Sequence, residues 1–420
     1  MTIDEKLTDP AFFADGDYYG LFKQLRREEP VRWTAVPNGR GFWSIFGHAD
    51  VSRILDDPAG FSSEREGIMP LIDAELDDVA KEAFGIGENV LVVDPPRHAA
   101  LRKIISTPFV PKALRDGEER TARLVAEVFD RLPASGECDL VADIGAKIPM
   151  AVICDILEIP SKDWEAMLRW GRMAIGGTDP EFQQGASAAD TIRSGFRSIR
   201  EYCGRLSTER RGCPMSDPLT QLANAKVGDR ALTDSEIAYN GQQLLLAGFE
   251  TTRNAFSGGV LALLQHPNEM AKLRADPAIV RHAVEEVIRW TDPVISLMRV
   301  ATADTELGGV RIREGDRVVL WLASANRDES AFDRPDVFDV TRHPNPHVGF
   351  GAGPHFCLGA PLGRIELRFA LEELLRRYDG IEIAGPYERV QSNFVGGLKR
   401  MPVRLKARAS SSGASMPASA

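Results

Sequence analysis

The spacing of apolar and polar positions makes most of this chain helical. In "LGAPLGRIELRFALEELLRRY", residues 358–378, Leu362, Ile365, Phe369, Leu371 and Leu374 recur at helical intervals and form one core-facing stripe. Thr233 and Glu236 make a Thr-x-x-Glu capping pattern, and no proline follows until Pro267. That stretch predicts a single helix of about 33 residues, about 50 Å long. It carries no heptad repeat, so it is expected to run through the interior of a domain. Strand-like runs are few. Residues 31–34 and 41–45 read as a hairpin around Pro37-Asn38-Gly39, and residues 295–324 as strands broken by Gly308-Gly309 and Glu314-Gly315-Asp316. Two segments, 64–93 and 174–187, mix apolar residues with glycine and proline and read as covers over a pocket. The expected fold class is mainly α with small β-sheets, as one domain over residues 1–408, followed by a disordered tail, "ASSSGASMPASA", at 409–420.

With 43% hydrophobic and 27% charged residues, the 420-residue chain has ample material for a large core. Its net charge of −10 argues against nucleic acid or an anionic membrane surface as partner. No run approaches the roughly 20 apolar residues of a membrane span, and the acidic start lacks a signal-peptide core, so a cytoplasmic location is expected. The five cysteines, at 138, 154, 203, 213 and 357, form no C-x-x-C pair, which argues against a disulfide framework.

One of the five sits in unusual surroundings. In "HVGFGAGPHFCLGAP", residues 347–361, Cys357 follows three glycines and a proline and directly precedes the helix that begins the 358–378 stripe. It could be a structural core residue, a zinc ligand with His347 and His355, or an iron ligand. A helix N-terminus lowers a thiol's pKa and holds the thiolate. Gly351, Gly353 and Gly359 permit backbone conformations closed to other residues and let a flat group approach the main chain. These features favour the third reading. The run from Phe350 to Gly359, with Phe350, Gly353, Cys357 and Gly359 at the fixed positions, resembles the haem-binding signature F-x-x-G-x-x-x-C-x-G of the cytochrome P-450 superfamily.

Three further constellations resemble the same family. "AGFETT", Ala247 to Thr252, lies midway along the long helix and is similar to the (A/G)-G-x-(D/E)-T pattern. The Thr251 hydroxyl can bond the Ala247 carbonyl and so bend the helix locally. The resemblance places that groove where dioxygen binds, with Glu250 relaying protons and Thr251 holding a hydrogen-bonded water. "EEVIRW" sets Glu286 three residues before Arg289, as in the family's E-x-x-R element, a buried brace for the haem loop. Val337 stands where an arginine is common, and Arg342 is the candidate replacement. "DPPRHAALRKI" puts His98 and Arg102 four apart on one helical face, similar to the H-x-x-x-R pair that grips haem propionates, and Arg299 and His355 match further propionate contacts.

The resemblance spans nearly the whole chain and implies a triangular single-domain fold around a long central helix. It also implies haem b, iron protoporphyrin IX, with an axial thiolate from Cys357 and contacts from Ala247, Phe350, Gly351 and Gly359. The implied activity is a monooxygenase that uses dioxygen to hydroxylate or epoxidise an apolar small molecule, lipid-like, terpenoid or steroid. The family's substrate-lining positions map to Ile68, Met69, Ile72, Leu244, Ala247, Val294, Ile295, Phe394 and Val395. Neither a dinucleotide fingerprint nor an iron-sulfur cysteine cluster is evident, so a ferredoxin and ferredoxin reductase are the expected electron donors. Lys103, Lys112, Arg115, Arg364 and Arg368 form a candidate basic docking patch on what is expected to be a monomer. A natural-product tailoring oxidase is the alternative within the family, and a non-catalytic haem sensor or carrier the alternative outside it.

Overall fold

The computed structural model describes residues 1–36, 39–70, 74–184, 187–214 and 217–408, with backbone alone at 74–77 and 80. The tail at 409–420, Ile72 and the Pro37-Asn38 turn lie outside the described residues.

The long helix is present as Asp234–Gln265, 32 residues without interruption. Its start is fixed as the capping pattern demands: Thr233 Oγ1 accepts the Glu236 amide at 3.1 Å, and the Glu236 carboxylate accepts the Thr233 amide at 2.7 Å. It is buried on every side, which explains the missing heptad. Leu245, Leu246 and Phe249 in its first half pack with Ile153, Phe196 and Leu219. Phe256, Val260 and Leu263 in its second half pack with Val284, Val287, Leu367 and Leu371. Glycines mark the closest helix crossings: a Cβ on Gly248 would lie 2.6 Å from Ile153, and one on Gly259 2.7 Å from Val287. Gly248 therefore weakens the helix for the sake of packing.

A five-stranded sheet lies beside the helical body, in the order Val31–Thr34, Phe42–Ile45, Arg317–Trp321, Ser296–Ala301, Phe61–Ser62. The predicted hairpin is there, its second strand starting one residue later than expected, at Phe42. Phe42–Ile45 pairs with Arg317–Trp321 in parallel, and the other neighbours are antiparallel. The predicted turns at Gly308, Gly309 and Gly315 carry φ of 54°, 79° and 83°, open to glycine with little strain. Strand Ser296–Ala301 matters most for function, because its alternation points Leu297 and Arg299 into a cavity and sends Met298 to the opposite core.

Both predicted covers are fastened to the body. In the first, the helix Ala74–Phe84 and the turn Val90–Val92 are tied to the central helix. Gln242 Nε2 donates to the Ala83 carbonyl at 2.8 Å, Asn240 exchanges bonds with Glu88 and Val90, and Arg97 bridges the Gly87 carbonyl to Glu236. In the second, Asp179 is fully buried and takes the Gln391 amide at 3.0 Å and Lys399 Nζ at 3.1 Å, while Thr178 Oγ1 donates to the Gln391 carbonyl at 2.8 Å. Glu181 pairs with Arg400. Among the described residues no helix is long and apolar enough to cross a membrane.

Candidate active site

The central helix and the helix Ala360–Arg377 face each other across a cavity, and most of the predicted site residues line it. Cys357 lies just before the second helix, whose N-cap is Gly359. Its amide bonds the Phe350 carbonyl at 2.9 Å, closing the loop. The sulfur opens to the cavity, although protein encloses the site as a whole. The sequence led to the expectation of a lowered thiol pKa. Burial instead pushes it up, and the Gly359 and Ala360 amides together with Arg102 and Arg364 pull the other way. A cation bound at the sulfur would offset the rest of that cost.

The glycines divide into two kinds. Gly351 and Gly353 have φ of 69° and 64°, and a Cβ on Gly353 would lie 2.5 Å from the Leu55 carbonyl oxygen. Gly359 departs from expectation: its φ of −83° suits any residue. A Cβ there would meet no protein atom within 4 Å, so its role would be clearance.

The loop is clamped from outside. Arg364 makes a two-pronged pair with Glu285 at 2.6 and 2.9 Å and lies over the Phe350 ring, while His347 Nε2 meets the same carboxylate at 3.1 Å. Burial resists ionisation of Glu285, but Arg364 and His347 outweigh it and hold the carboxyl down at about 2. His347 is thereby committed to Glu285, and His355 packs against His98 with ring centres 4.1 Å apart and planes tilted by 43°. No three of the His, Cys, Asp and Glu side chains among the described residues form a metal cage, so the zinc reading falls.

A deeper brace holds the same loop. Glu286 and Arg289 are fully buried and pair at 2.8 Å through both guanidinium prongs, and Arg342 Nε reaches Glu286 at 3.0 Å. Arg342 therefore supplies the third contact that Val337, which is exposed, does not.

His98, Arg102, Arg299 and His355 converge on one edge of the cavity. Arg102 Nη2 donates to the Phe356 carbonyl at 2.7 Å. Arg299 is buried, its guanidinium bonded to the Met298 carbonyl at 2.8 Å, and burial pushes its pKa down to about 10. A buried cation with donors to spare fits an anionic group. Burial lowers His98, and burial reinforced by Arg299, His98 and Arg102 lowers His355 to about 3, so His355 offers a neutral donor. With Cys357 below and clearance at Gly359, these residues fit a flat macrocycle bearing carboxylates.

Opposite Cys357, Ala247 faces the cavity and Thr251 Oγ1 donates to the Ala247 carbonyl at 3.1 Å, as expected; the helix nonetheless stays continuous. Thr252 lines the cavity beside it. Glu250 is buried and holds Arg253 at 2.8 Å through Oε2, while its Oε1 has no partner. Of the predicted substrate positions, Ile68, Leu244, Ala247, Val294, Phe394 and Val395 line the cavity. Ile295 and Met69 do not. Ile295 packs instead into the core around Trp321, and Met69 lies against both neighbouring clusters.

Sequence reasoning missed Glu366, Gln243, Phe84, Phe196 and Leu297, all of which line the cavity. Leu297 could have been found by counting back two from Arg299 along a strand. Burial pushes Glu366 up to about 8, and its Oε2 has no partner. In the unfolded chain this carboxyl ionises near its ordinary value of about 4.3. The folded state therefore binds more protons between that value and about 8, and stability falls as pH rises through the window. Glu366→Gln should flatten that fall and leave the variant more stable at about pH 8 by roughly 1 to 4 kcal/mol. Urea midpoints measured across the window decide it; parallel wild-type and variant curves would refute the assignment.

Of the proposed basic patch, Lys103, Lys112 and Arg115 are exposed. Arg364 and Arg368 are instead engaged by Glu285 and Glu118, which arrive from other helices.

The chain as a whole is similar to known proteins. The family profile "Cytochrome P450" matches residues 214–384. Cytochrome P450 126 of Mycobacterium tuberculosis is 37% identical, the alignment covering 95% of this chain and 97% of that protein. Linalool 8-monooxygenase of Pseudomonas putida is 34% identical over 95% of this chain and 98% of its own. A Mycobacterium marinum cytochrome P450 solved in complex with pseudoionone superposes with a TM-score of 0.88 at 35% identity, covering 94% of this chain and 96% of that one.

Proposed function

We propose a specific reaction from the premise that this chain belongs to the cytochrome P450 family and is a monooxygenase: insertion of one oxygen atom from dioxygen into an apolar, terpenoid or lipid-like molecule. The observation that carries the reading is a single cavity with Cys357 on one wall, Ala247 to Thr251 on the other and four basic side chains along one edge. The family implies haem with a cysteine thiolate. Cys357 would be that ligand, and His98, Arg102, Arg299 and His355 would hold the propionates. When bound, haem supplies the reductive activation of dioxygen.

The chain's own residues then shape and feed the site. Glu250 Oε1, free of the Arg253 pair, is the atom that accepts a proton and passes it into the cavity. Thr251, having spent its proton on the Ala247 carbonyl, accepts a hydrogen bond from a water and holds it beside the reacting oxygen. The walls exclude other water. Ile68, Leu244, Phe394 and Val395 favour an apolar substrate, as do the linalool and pseudoionone ligands named for relatives. Electrons come from a ferredoxin and its reductase, docking near Lys103, Lys112 and Arg115.

With a ferredoxin and its reductase supplying electrons under labelled dioxygen, the product should carry one labelled oxygen atom. Thr251→Ala should keep consuming reductant while product per electron pair falls roughly tenfold or more, with hydrogen peroxide accounting for the loss. Undiminished coupling in that variant would remove the role given to Thr251, and unlabelled product would remove the reaction.

A further inference from the structure

Apart from the edge, thiol-helix and mid-helix groups already described, Gln243 is the one polar side chain lining the cavity among the described residues. It lies on the same face of the central helix as Ala247 and Thr251, four and eight residues on. Much of the remaining lining, including Phe84, Leu91, Phe196 and Phe394, is apolar. Its Oε1 is covered and has no hydrogen-bond partner. The residue before it shows what structural use looks like, since Gln242 Nε2 ties down the Ala83 carbonyl at 2.8 Å. Gln243 shows no such tie. A covered amide oxygen without a partner is disfavoured unless something arrives to satisfy it, and in an apolar chamber that something is a ligand.

We infer that Gln243 is the polar anchor of the substrate, and that the substrate is an elongated apolar molecule with one hydroxyl at the end remote from the carbon oxidised. This rests on the monooxygenase reading and adds the orientation of the molecule within it. A hydroxyl both donates and accepts, so it satisfies the carboxamide whichever way the amide is turned. Gln243 and Thr251 are eight residues apart, about 12 Å along the helix, so a molecule anchored at the first presents its far end near the second. An apolar analogue of the same shape leaves the amide unpaired and loses affinity.

The test uses ferric holoprotein and three probes of similar length: decan-1-ol, undecane and methyl decyl ether. Binding is followed by the spectral change as water leaves the iron. Wild type should bind decan-1-ol about tenfold more tightly than undecane, with the ether between them. Gln243→Met, close in shape, should bring the alcohol and undecane within about twofold while leaving undecane affinity near wild type. In turnover, wild type should oxidise decan-1-ol at the end away from the hydroxyl, and the variant should spread products along the chain. A wild-type preference that persists in Gln243→Met, or none in wild type, overturns the anchor. If both proteins keep the thiolate-type carbon monoxide spectrum, that result leaves the monooxygenase reading standing; if wild type lacks the spectrum, both fall.

Discussion

Replacing Cys357 with serine should abolish the strongly red-shifted absorption band of the reduced, carbon monoxide-bound holoprotein and, with it, all measurable monooxygenase turnover. An alcohol is far less acidic than a thiol and donates weakly as an anion, so the electronic push that a thiolate gives oxygen activation has no substitute at this position. The fold should tolerate the exchange. The sulfur faces the cavity rather than a packed core, and the loop's shape rests on backbone geometry at Gly351 and Gly353 and on the Glu285 clamp. Near-wild-type far-ultraviolet dichroism with haem bound weakly or lost is the expected state. A variant that keeps both the band and turnover would refute Cys357 as the ligand.

Glu286→Ala should be the most destabilising single change outside the cavity, costing about 3 to 5 kcal/mol. The carboxylate, itself fully buried with Arg289, takes both prongs of Arg289, Nε of Arg342, the Asp339 amide at 2.8 Å and Asn345 at 3.2 Å. Without it, Arg289 keeps the carbonyls of Asn326, Pro335 and Val337 and the rings of Trp290 and Phe332 but no anionic partner, and remains an uncompensated interior charge. Arg342→Met should cost less, about 1 to 3 kcal/mol, because it leaves the Glu286 to Arg289 pair intact. Urea midpoints followed by dichroism measure both, and a loss below about 1 kcal/mol for Glu286→Ala would show that the brace is dispensable.

What could be read in the sequence follows from the range of the interactions concerned. The capped central helix, the hairpin and the glycine turns of the cysteine loop are set by residues within a few positions of one another, and each appeared close to where local chemistry put it. Arg364 and Arg368 read as free surface cations because Glu285 and Glu118 are distant in sequence. Gln243 and Glu366 carried no signal in the sequence, since a buried polar residue and a solvated one share the same letter; only packing separates them. Ile295 and Met69 failed for a smaller reason: each adjoins a lining residue, and only packing decides which of two neighbours faces the cavity. Arg342 was recoverable because the position lacking an arginine was itself a signal.

The Asp179 to Lys399 contact has a mechanical corollary. It joins the segment after Gly176, which follows the lining residue Ile175, to the hairpin that carries Phe394 and Val395, so two neighbours of the chamber are riveted by opposite charges, Asp179 fully buried and Lys399 partly so. Neither can swing outward alone without leaving the buried Asp179 carboxylate short of its cation. Any breathing of the enclosure wide enough to admit a guest must therefore carry both pieces together or first let water in to solvate the rivet.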